Sequence, residues 1–124
     1  MTLRHLMNYI DGAFVPAQSN LTLDDLNPAT GETVATIPRS DAADVASASN
    51  AAKKAQPGWN ALSLLERASW LDRIADALQE KHELIAQSET LDTGKPISLS
   101  RRVDASRSVE NFRFFAAFAR KQEP

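Results

Sequence analysis

The sequence contains no cysteine among its 124 residues. This absence excludes a disulfide framework, a thiolate metal site and a cysteine nucleophile within the chain. Glycine is also scarce, and the four glycines are too scattered to form a turn that cradles a pyrophosphate. The two histidines, His5 and His82, lack partners at metal-ligand or nucleophile spacing. We therefore expect both histidines to be surface or packing residues.

Long apolar runs and an excess of charge of one sign are lacking as well. The opening MTLRHLMNYIDG has neither the apolar segment nor the cleavage site of a signal peptide, and no run approaches membrane-spanning length. The net charge of −2 gives no electrostatic reason to expect nucleic acid as a partner. The one basic cluster, Arg101, Arg102 and Arg107, is interrupted by Asp104 and Glu110, which favours a solvated helix face. These features predict a cytoplasmic protein that binds neither membrane nor nucleic acid.

The first third of the chain has the pattern of short strands. Met7 to Val15 forms two extended runs around Asp11-Gly12, a dipeptide that is typical of tight hairpin turns. Leu21 to Leu26 and Thr33 to Ile37 alternate apolar and polar residues on either side of a turn at Asn27 to Gly31. We predict that these two runs are extended and pair with each other.

Three helices are predicted after the strands. Ser40-Asp41 is a plausible cap for an alanine-rich helix from Ala42 to Gln56, which Pro57-Gly58 should end. Ser63 to Pro96 reads as one long amphipathic helix, and Ser63 is better explained as its cap than as a nucleophile. The third helix should run from Ser98 to Lys121.

Both ends of the Ser63–Pro96 segment carry helix signals. Ser63 and Glu66 have the spacing of a capping box, in which each side chain satisfies a free backbone N–H group. At the other end Gly94 can adopt the left-handed conformation, Lys95 is a cation near the negative helix end, and Pro96 cannot continue a helix.

Apolar residues at helical spacing form a stripe on the third helix: Leu99, Val103, Val109, Phe112, Phe115 and Phe118. Such a stripe is more often part of the core than a ligand pocket. Four of the five phenylalanines lie on this helix, so we also expect apolar surface near the C-terminus that needs covering.

These patterns together predict an α+β fold, with N-terminal β-hairpins followed by three helices. A chain of 124 residues with 43% hydrophobic and 24% charged residues is ordinary for one soluble globular domain.

Three motifs, in their order and spacing, connect the chain to a known family. They are Asn27-Pro28-Ala29-Thr30-Gly31-Glu32, Leu91-Asp92-Thr93-Gly94-Lys95-Pro96 and Asn111-Phe112-Arg113-Phe114-Phe115-Ala116. The chain resembles the N-terminal portion of the aldehyde dehydrogenase superfamily over essentially its whole length. The setting of Arg107, from Asp104 to Ala116, is similar to the branch that acts on 2-hydroxy- and 2-aminomuconic semialdehydes.

The resemblance implies a parent protein with an α/β fold, a Rossmann-like NAD- or NADP-binding domain, a catalytic domain and an oligomerisation sheet. In such enzymes a cysteine attacks the aldehyde, a glutamate activates water, and hydride passes to the nicotinamide. None of these catalytic positions is in this sequence, so residues 1–124 would be a single partial domain with no catalytic and no cofactor-binding residue. The implied partners are the remainder of the dehydrogenase chain, an aldehyde substrate and further copies in a homo-oligomer.

The resemblance also implies a structural monovalent or divalent cation. Its ligands would include the carbonyl groups of Asp25 and Leu26 and the carboxylate of Asp92, because hard oxygen ligands suit such an ion. The alternative is that Asp92 accepts hydrogen bonds near the end of its helix.

Arg107 is the implied substrate-binding residue. In the muconic-semialdehyde branch an arginine at this point of the helix binds a substrate carboxylate, and a guanidinium fork suits one end of a dicarboxylic semialdehyde. The family often has proline just before this arginine, where this chain has Ser106. The alternative is a local ion pair of Arg107 with Asp104 or Glu110, three residues away on either side.

We therefore predict that the chain is part of an NAD(P)-dependent aldehyde dehydrogenase and is inactive by itself. The rival hypothesis is a truncated, non-catalytic remnant or helical interaction protein that associates through its aromatic helix.

Overall fold

The computed structural model describes residues 3–122 and has the predicted α+β composition. The chain divides into two compact units, Met1–Gly58 and Trp59–Pro124. The first unit contains strands β1 to β5 and most of helix α1, with the following bounds: Arg4–His5, Asn8–Ile10, Ala13–Val15, Thr22–Leu26, Thr33–Pro38 and Ala42–Asn60. In the second unit the described residues form helices and their connections, with no strand.

The predicted hairpin at Asp11-Gly12 is confirmed. Strands β2 and β3 pair in antiparallel register, and both turn residues have positive φ, 52° at Asp11 and 82° at Gly12. Two positive φ angles define the mirror-image turn whose twist matches that of the strands. Tyr9 lies opposite Phe14 with ring centroids 5.0 Å apart, so an aromatic pair supports the register.

The second predicted pair is also confirmed, since β4 and β5 pair in antiparallel register. In the turn between them the Asn27 side chain accepts a hydrogen bond from the Ala29 N–H at 2.9 Å, and Gly31 has a φ of 74°. Strand β1, which was not predicted, pairs in parallel with β5 and gives the strand order β1-β5-β4. His5 lies there as an exposed residue, with Nδ1 2.9 Å from the Thr36 hydroxyl.

Helix α1 begins as predicted but ends later. The Asp41 carboxylate accepts a hydrogen bond from the Ala43 N–H at 2.8 Å, and the buried Asp44 carboxylate accepts one from the Gln18 N–H at 3.0 Å. The prediction that Pro57-Gly58 ends the helix is wrong, because α1 continues to Asn60. Proline already has a helical φ, and near a helix end it removes a single backbone hydrogen bond, which does not suffice to stop the last turn.

The second unit contains helices α2 (Leu64–Glu80), α3 (His82–Thr93), α4 (Ile97–Leu99) and α5 (Ser106–Lys121), with a π-helical segment at Ser100–Ala105 between α4 and α5. The capping box at the start of α2 is confirmed. The Ser63 N–H donates to the Glu66 carboxylate at 2.8 Å, and the Glu66 N–H donates to the Ser63 hydroxyl at 3.2 Å. The predicted stop is confirmed as well, because Gly94 is left-handed with a φ of 72°.

The prediction of one continuous helix over Ser63–Pro96 is wrong. Lys81 leaves the helical conformation, with φ −101° and ψ 12°, and separates α2 from α3. The two helices pack against different partners, since α2 lies along α5 and α3 lies against the π-helical segment. A single straight helix would not present its apolar stripe to both partners.

The interface between α2 and α5 is built on small side chains. Ala68 and Ala75 on α2 and Ala116 on α5 are fully buried, and Val109 is 4% exposed. Two ion pairs flank this core, Arg113 with Asp76 at 2.8 Å and Arg120 with Asp72 at 2.6 Å. Because residue numbers rise along one helix as they fall along the other, the two helices are antiparallel.

The third predicted helix, expected from about Ser98 to Lys121, is confirmed in its bounds, since the helical segments run from Ile97 to Lys121. It requires one correction, because Ser100–Ala105 is π-helical. The prediction that the apolar stripe is part of the core is confirmed in part: Val109 is buried and Val103 and Phe112 are half-buried, but Phe115 and Phe118 are 58% and 52% exposed. Phe114, which lies outside the stripe, is 63% exposed. The expected apolar surface near the C-terminus is therefore present.

Candidate functional site

Side-chain hydrogen bonds connect α3 to both ends of the π-helical segment that precedes Arg107. At its start the Thr90 hydroxyl donates to the hydroxyl of Ser100, which is fully buried, at 2.9 Å. At its end the His82 Nε2 lies 3.2 Å from the Ser106 hydroxyl. His82 is therefore a packing residue, as predicted. A π-helical turn holds one residue more than an α-helical turn, so these contacts set the register of the helix that follows.

An ion pair fastens the same segment on its exposed side. The Arg101 guanidinium donates to both carboxylate oxygens of Glu83, at 2.8 and 2.6 Å. The hydrogen bonds from Arg101, followed by one from Gln87, lower the pKa of Glu83 from its ordinary value of 4.5 to about 2. The hydrogen bonds to Glu83 also raise the pKa of Arg101. Arg101 is thus engaged in holding α3 and the π-helical segment together.

Lys95 lies between two carboxylates. Its ammonium group donates to Glu89 on α3 at 2.8 Å and to Asp104 in the π-helical segment at 3.1 Å. The hydrogen bond to Glu89, followed by the one to Asp104, raises the pKa of Lys95. From the sequence Lys95 was assigned only to the helix end. Its ion pairs with Glu89 and Asp104 could not be predicted, because they depend on how the chain turns after Gly94.

Arg107 is the second residue of α5, and its side chain is exposed. Within residues 3–122 its guanidinium makes no hydrogen bond or ion pair. The alternative of a local ion pair is therefore not found, and one of the two expected partners, Asp104, is bound to Lys95 instead. The guanidinium is available to an external anion.

An apolar groove lies further along the same helix. It is lined by Leu71, Asn111, Phe112 and Phe115, with a volume of about 360 Å³. Asn111 follows Arg107 by one helical turn, so the two side chains project from the same side of α5. This arrangement places a cationic group close to one end of an apolar wall.

The proposed cation ligands lie in both units. Asp25 is half-buried and Leu26 is exposed at the end of β4, where the pairing register with β5 shifts. A register shift interrupts the regular ladder of backbone hydrogen bonds at this point. Asp92 is exposed, and its carboxylate accepts no hydrogen bond from residues 3–122; at that helix end the Thr93 hydroxyl donates to the Glu89 carbonyl at 2.6 Å. The described residues contain no cluster of three or more acidic or histidine side chains suited to a metal ion.

The four glycines do not form a dinucleotide cradle. Gly12 and Gly31 lie in turns between strands, Gly58 lies within α1, and Gly94 ends α3. No glycine among them stands in a turn from a strand into a helix, which is the arrangement that presents helical N–H groups to a pyrophosphate. No helix in the described range is both long and apolar enough to cross a membrane.

Comparison with known proteins gives a consistent result. The model of the aldehyde dehydrogenase family matches residues 14–124. The chain is 44% identical over 112 residues to 2-aminomuconic semialdehyde dehydrogenase of Bos taurus, covering 90% of this chain and 23% of that protein. It is 38% identical over 115 residues to 2-hydroxymuconic semialdehyde dehydrogenase of Pseudomonas sp. (strain CF600), covering 92% of this chain and 24% of the relative.

Solved structures agree with these relatives. PnpE from Pseudomonas sp. WBC-3 superposes with a TM-score of 0.91 and 42% identity, over 96% of this chain and 24% of that chain. A structure of PnpE in complex with nicotinamide adenine dinucleotide superposes equally well, again with 24% of its chain covered. The chain thus spans about a quarter of the length of the relatives that it matches. The sequence motifs, the fold and these matches show that the chain belongs to the aldehyde dehydrogenase family.

Proposed function

We propose that the chain is the N-terminal portion of an NAD-dependent aldehyde dehydrogenase that oxidises a muconic-type semialdehyde to a carboxylate. The observation that carries this proposal is the 38–44% identity to enzymes named for 2-aminomuconic and 2-hydroxymuconic semialdehyde. The solved complex of PnpE with NAD supports NAD over NADP as the cofactor. When bound by the whole enzyme, NAD would accept the hydride from the substrate.

In this proposal Arg107 binds the carboxylate of the substrate. Its guanidinium is exposed, and no acidic side chain among residues 3–122 neutralises it. A planar fork of N–H donors can bind both oxygens of a carboxylate at once and so fix the orientation of the substrate. The groove lined by Leu71, Asn111, Phe112 and Phe115 would then contact the carbon chain as one wall of the substrate tunnel.

The test is a kinetic comparison in the full-length enzyme that contains this chain. We expect Arg107→Ala to raise KM for 2-hydroxymuconic semialdehyde by about 10- to 100-fold, because a hydrogen-bonded charge pair is worth about 1.5–3 kcal/mol. KM for an uncharged aldehyde of similar length should change little. Arg102→Ala is the matched control, since Arg102 is also exposed and has no ion pair in the described part of the chain. Equal effects on both aldehydes would contradict carboxylate binding by Arg107.

We propose further that residues 1–124 form a partial domain with no dehydrogenase activity by itself. The scattered glycines and the absence of cysteine support this, because neither a dinucleotide cradle nor a cysteine nucleophile is available within the chain. A cytoplasmic homo-oligomer is the proposed form of the whole enzyme. Oxidation of an aldehyde by the purified 124-residue chain would contradict the proposal of inactivity.

The cation remains a proposal as well. The carbonyl groups of Asp25 and Leu26 and the carboxylate of Asp92 are the proposed ligands within this chain, and further ligands would come from the remainder of the enzyme. Asp92→Asn should reduce the dependence of thermal stability on the type of monovalent or divalent cation in the full-length protein. A dependence identical to that of the wild type would exclude Asp92 as a ligand.

A second candidate function has one observation in its favour. The exposed rings of Phe114, Phe115 and Phe118 form an apolar face that a free-standing chain would leave in water. The chain could then act as a non-catalytic interaction module that associates through this face. Sedimentation of the purified chain distinguishes the candidates in part. A stable monomer at high concentration would contradict an interaction module that associates through this face.

A further inference from the structure

The geometry points to Lys95 as a positioning residue that keeps Arg107 free for the substrate by engaging Asp104. This inference rests on the proposed function, because it concerns the same carboxylate-binding guanidinium. It assigns to Lys95 a role in substrate selectivity beyond the end of α3. Lys95 itself does not touch the substrate in this account.

The competition arises from spacing along the helix. Asp104 precedes Arg107 by three residues. The backbone between them is right-handed helical, with φ −65° and ψ −42° at Ala105 and φ −65° and ψ −44° at Ser106. Side chains three residues apart on a helix are neighbours, and an acidic residue that precedes a basic one is the favourable order. Asp104 is therefore the natural local partner of Arg107. Glu110, which follows Arg107 by three residues, stands in the less favourable order and is exposed.

The structure shows how this local pair is prevented. The Asp104 carboxylate accepts a hydrogen bond from the Lys95 ammonium group at 3.1 Å, and the same ammonium group binds Glu89 at 2.8 Å. The two bonds fix the ammonium group between α3 and the π-helical segment. All three side chains are about one-third exposed, at 37% for Lys95, 31% for Glu89 and 29% for Asp104. Asp104 is thus turned toward α3, and Arg107 has no partner among residues 3–122.

The test uses variants of the full-length enzyme with 2-hydroxymuconic semialdehyde as the probe. Lys95→Met releases Asp104, which then competes for Arg107. An i,i+3 pair of ordinary strength should raise KM about two- to threefold, with kcat little changed. Lys95→Met combined with Asp104→Asn should restore the wild-type KM, because the asparagine is no longer a strong competitor.

A second double variant separates pairing from general electrostatics. Lys95→Met combined with Glu89→Gln restores the same net charge but leaves Asp104 ionised, so its KM should stay as high as that of Lys95→Met. Equal rescue by both double variants, or rescue by Glu89→Gln alone, would overturn the inference. KM for an uncharged aldehyde should be the same in all of these variants.

KM values of two further variants, Asp104→Asn and Arg107→Ala, complete the test. If Lys95→Met does not fold, the isosteric Asp104→Asn in the otherwise wild-type enzyme is the test variant. Its KM should be unchanged or lower, and a rise in KM would overturn the inference. Arg107→Ala is measured in parallel. An unchanged KM in Arg107→Ala would refute the proposed function and the inference together, whereas a raised KM in Arg107→Ala with no effect of Lys95→Met would refute the inference alone.

Discussion

The alanine-lined contact between α2 and α5 should be destabilised, not stabilised, by a larger apolar side chain. Ala116 is fully buried, and α2 packs along α5 at this point of the second unit. Ala116→Leu adds three carbon atoms to a space that alanine already fills. If the space existed, burial of these atoms would stabilise the fold by about 2 kcal/mol, at roughly 0.8 kcal/mol for each buried methylene group.

We expect the opposite sign, because the two helices can accept the leucine only by moving apart or by adopting strained rotamers. Overpacking of this kind typically costs about 1–3 kcal/mol. Helix propensity does not affect the comparison, since alanine and leucine are both strong helix formers. With an urea m-value of about 1–3 kcal/mol/M, a loss of about 2 kcal/mol lowers the unfolding midpoint by about 1 M.

The assay is urea unfolding of the purified chain, followed by circular dichroism. Ala117→Leu is the matched control, because Ala117 is the next residue of the same helix and is exposed. Its unfolding midpoint should stay close to that of the wild type. A midpoint for Ala116→Leu at or above that of Ala117→Leu would refute the close packing of α2 on α5.

Three other predictions use the same unfolding measurement. Gly94→Ala should destabilise the chain by about 1–2 kcal/mol, because Gly94 has a φ of 72°. Gly58→Ala in helix α1 should stabilise the chain by about 0.5–1 kcal/mol, since nothing lies within 4 Å of the added methyl group. If the two substitutions changed the free energy of unfolding in the same direction, the two backbone conformations would be contradicted. Ser63→Ala should cost about 1 kcal/mol by removing the cap of α2, and no loss would show that the cap is not formed in solution. The lowered pKa of Glu83, about 2 against an ordinary value of 4.5, means that its bond to Arg101 contributes fully above about pH 4.5 and is lost as the pH falls toward 2, so Glu83→Gln should flatten that part of the stability curve.

The sequence predicted the features that are decided by a few neighbouring residues. Asp11-Gly12 specifies a hairpin turn, Ser63 and Glu66 specify a capping box, and Gly94 specifies a helix end, because in each case the conformation follows from the local chain. The structure confirms all three.

Features that depend on packing between distant segments were missed. Nothing in the residues around Lys81 signals a break, since the helix divides there only because α2 and α3 meet different partners. The π-helical turn at Ser100–Ala105 contains neither glycine nor proline, and it follows from contacts such as Thr90 with Ser100. A propensity argument does not include such contacts.

The candidate site shows the same division. Arg107 was identified from its motif, but its freedom from a local ion pair could not be predicted, because the sequence left Asp104 and Glu110 as equally close partners. The outcome depends on where Lys95 lies after the chain turns at Gly94. Exposure of the aromatic residues on α5 likewise depends on how closely α2 approaches.

The central claim, that this chain is part of an NAD-dependent semialdehyde dehydrogenase, is tested most directly by one assay of NADH formation. The full-length protein encoded by the gene is mixed with NAD and 2-hydroxymuconic semialdehyde, and the 124-residue chain is assayed beside it. We expect NADH from the full-length protein and none from the short chain. A pure, folded full-length protein that forms no NADH from this semialdehyde would contradict the account.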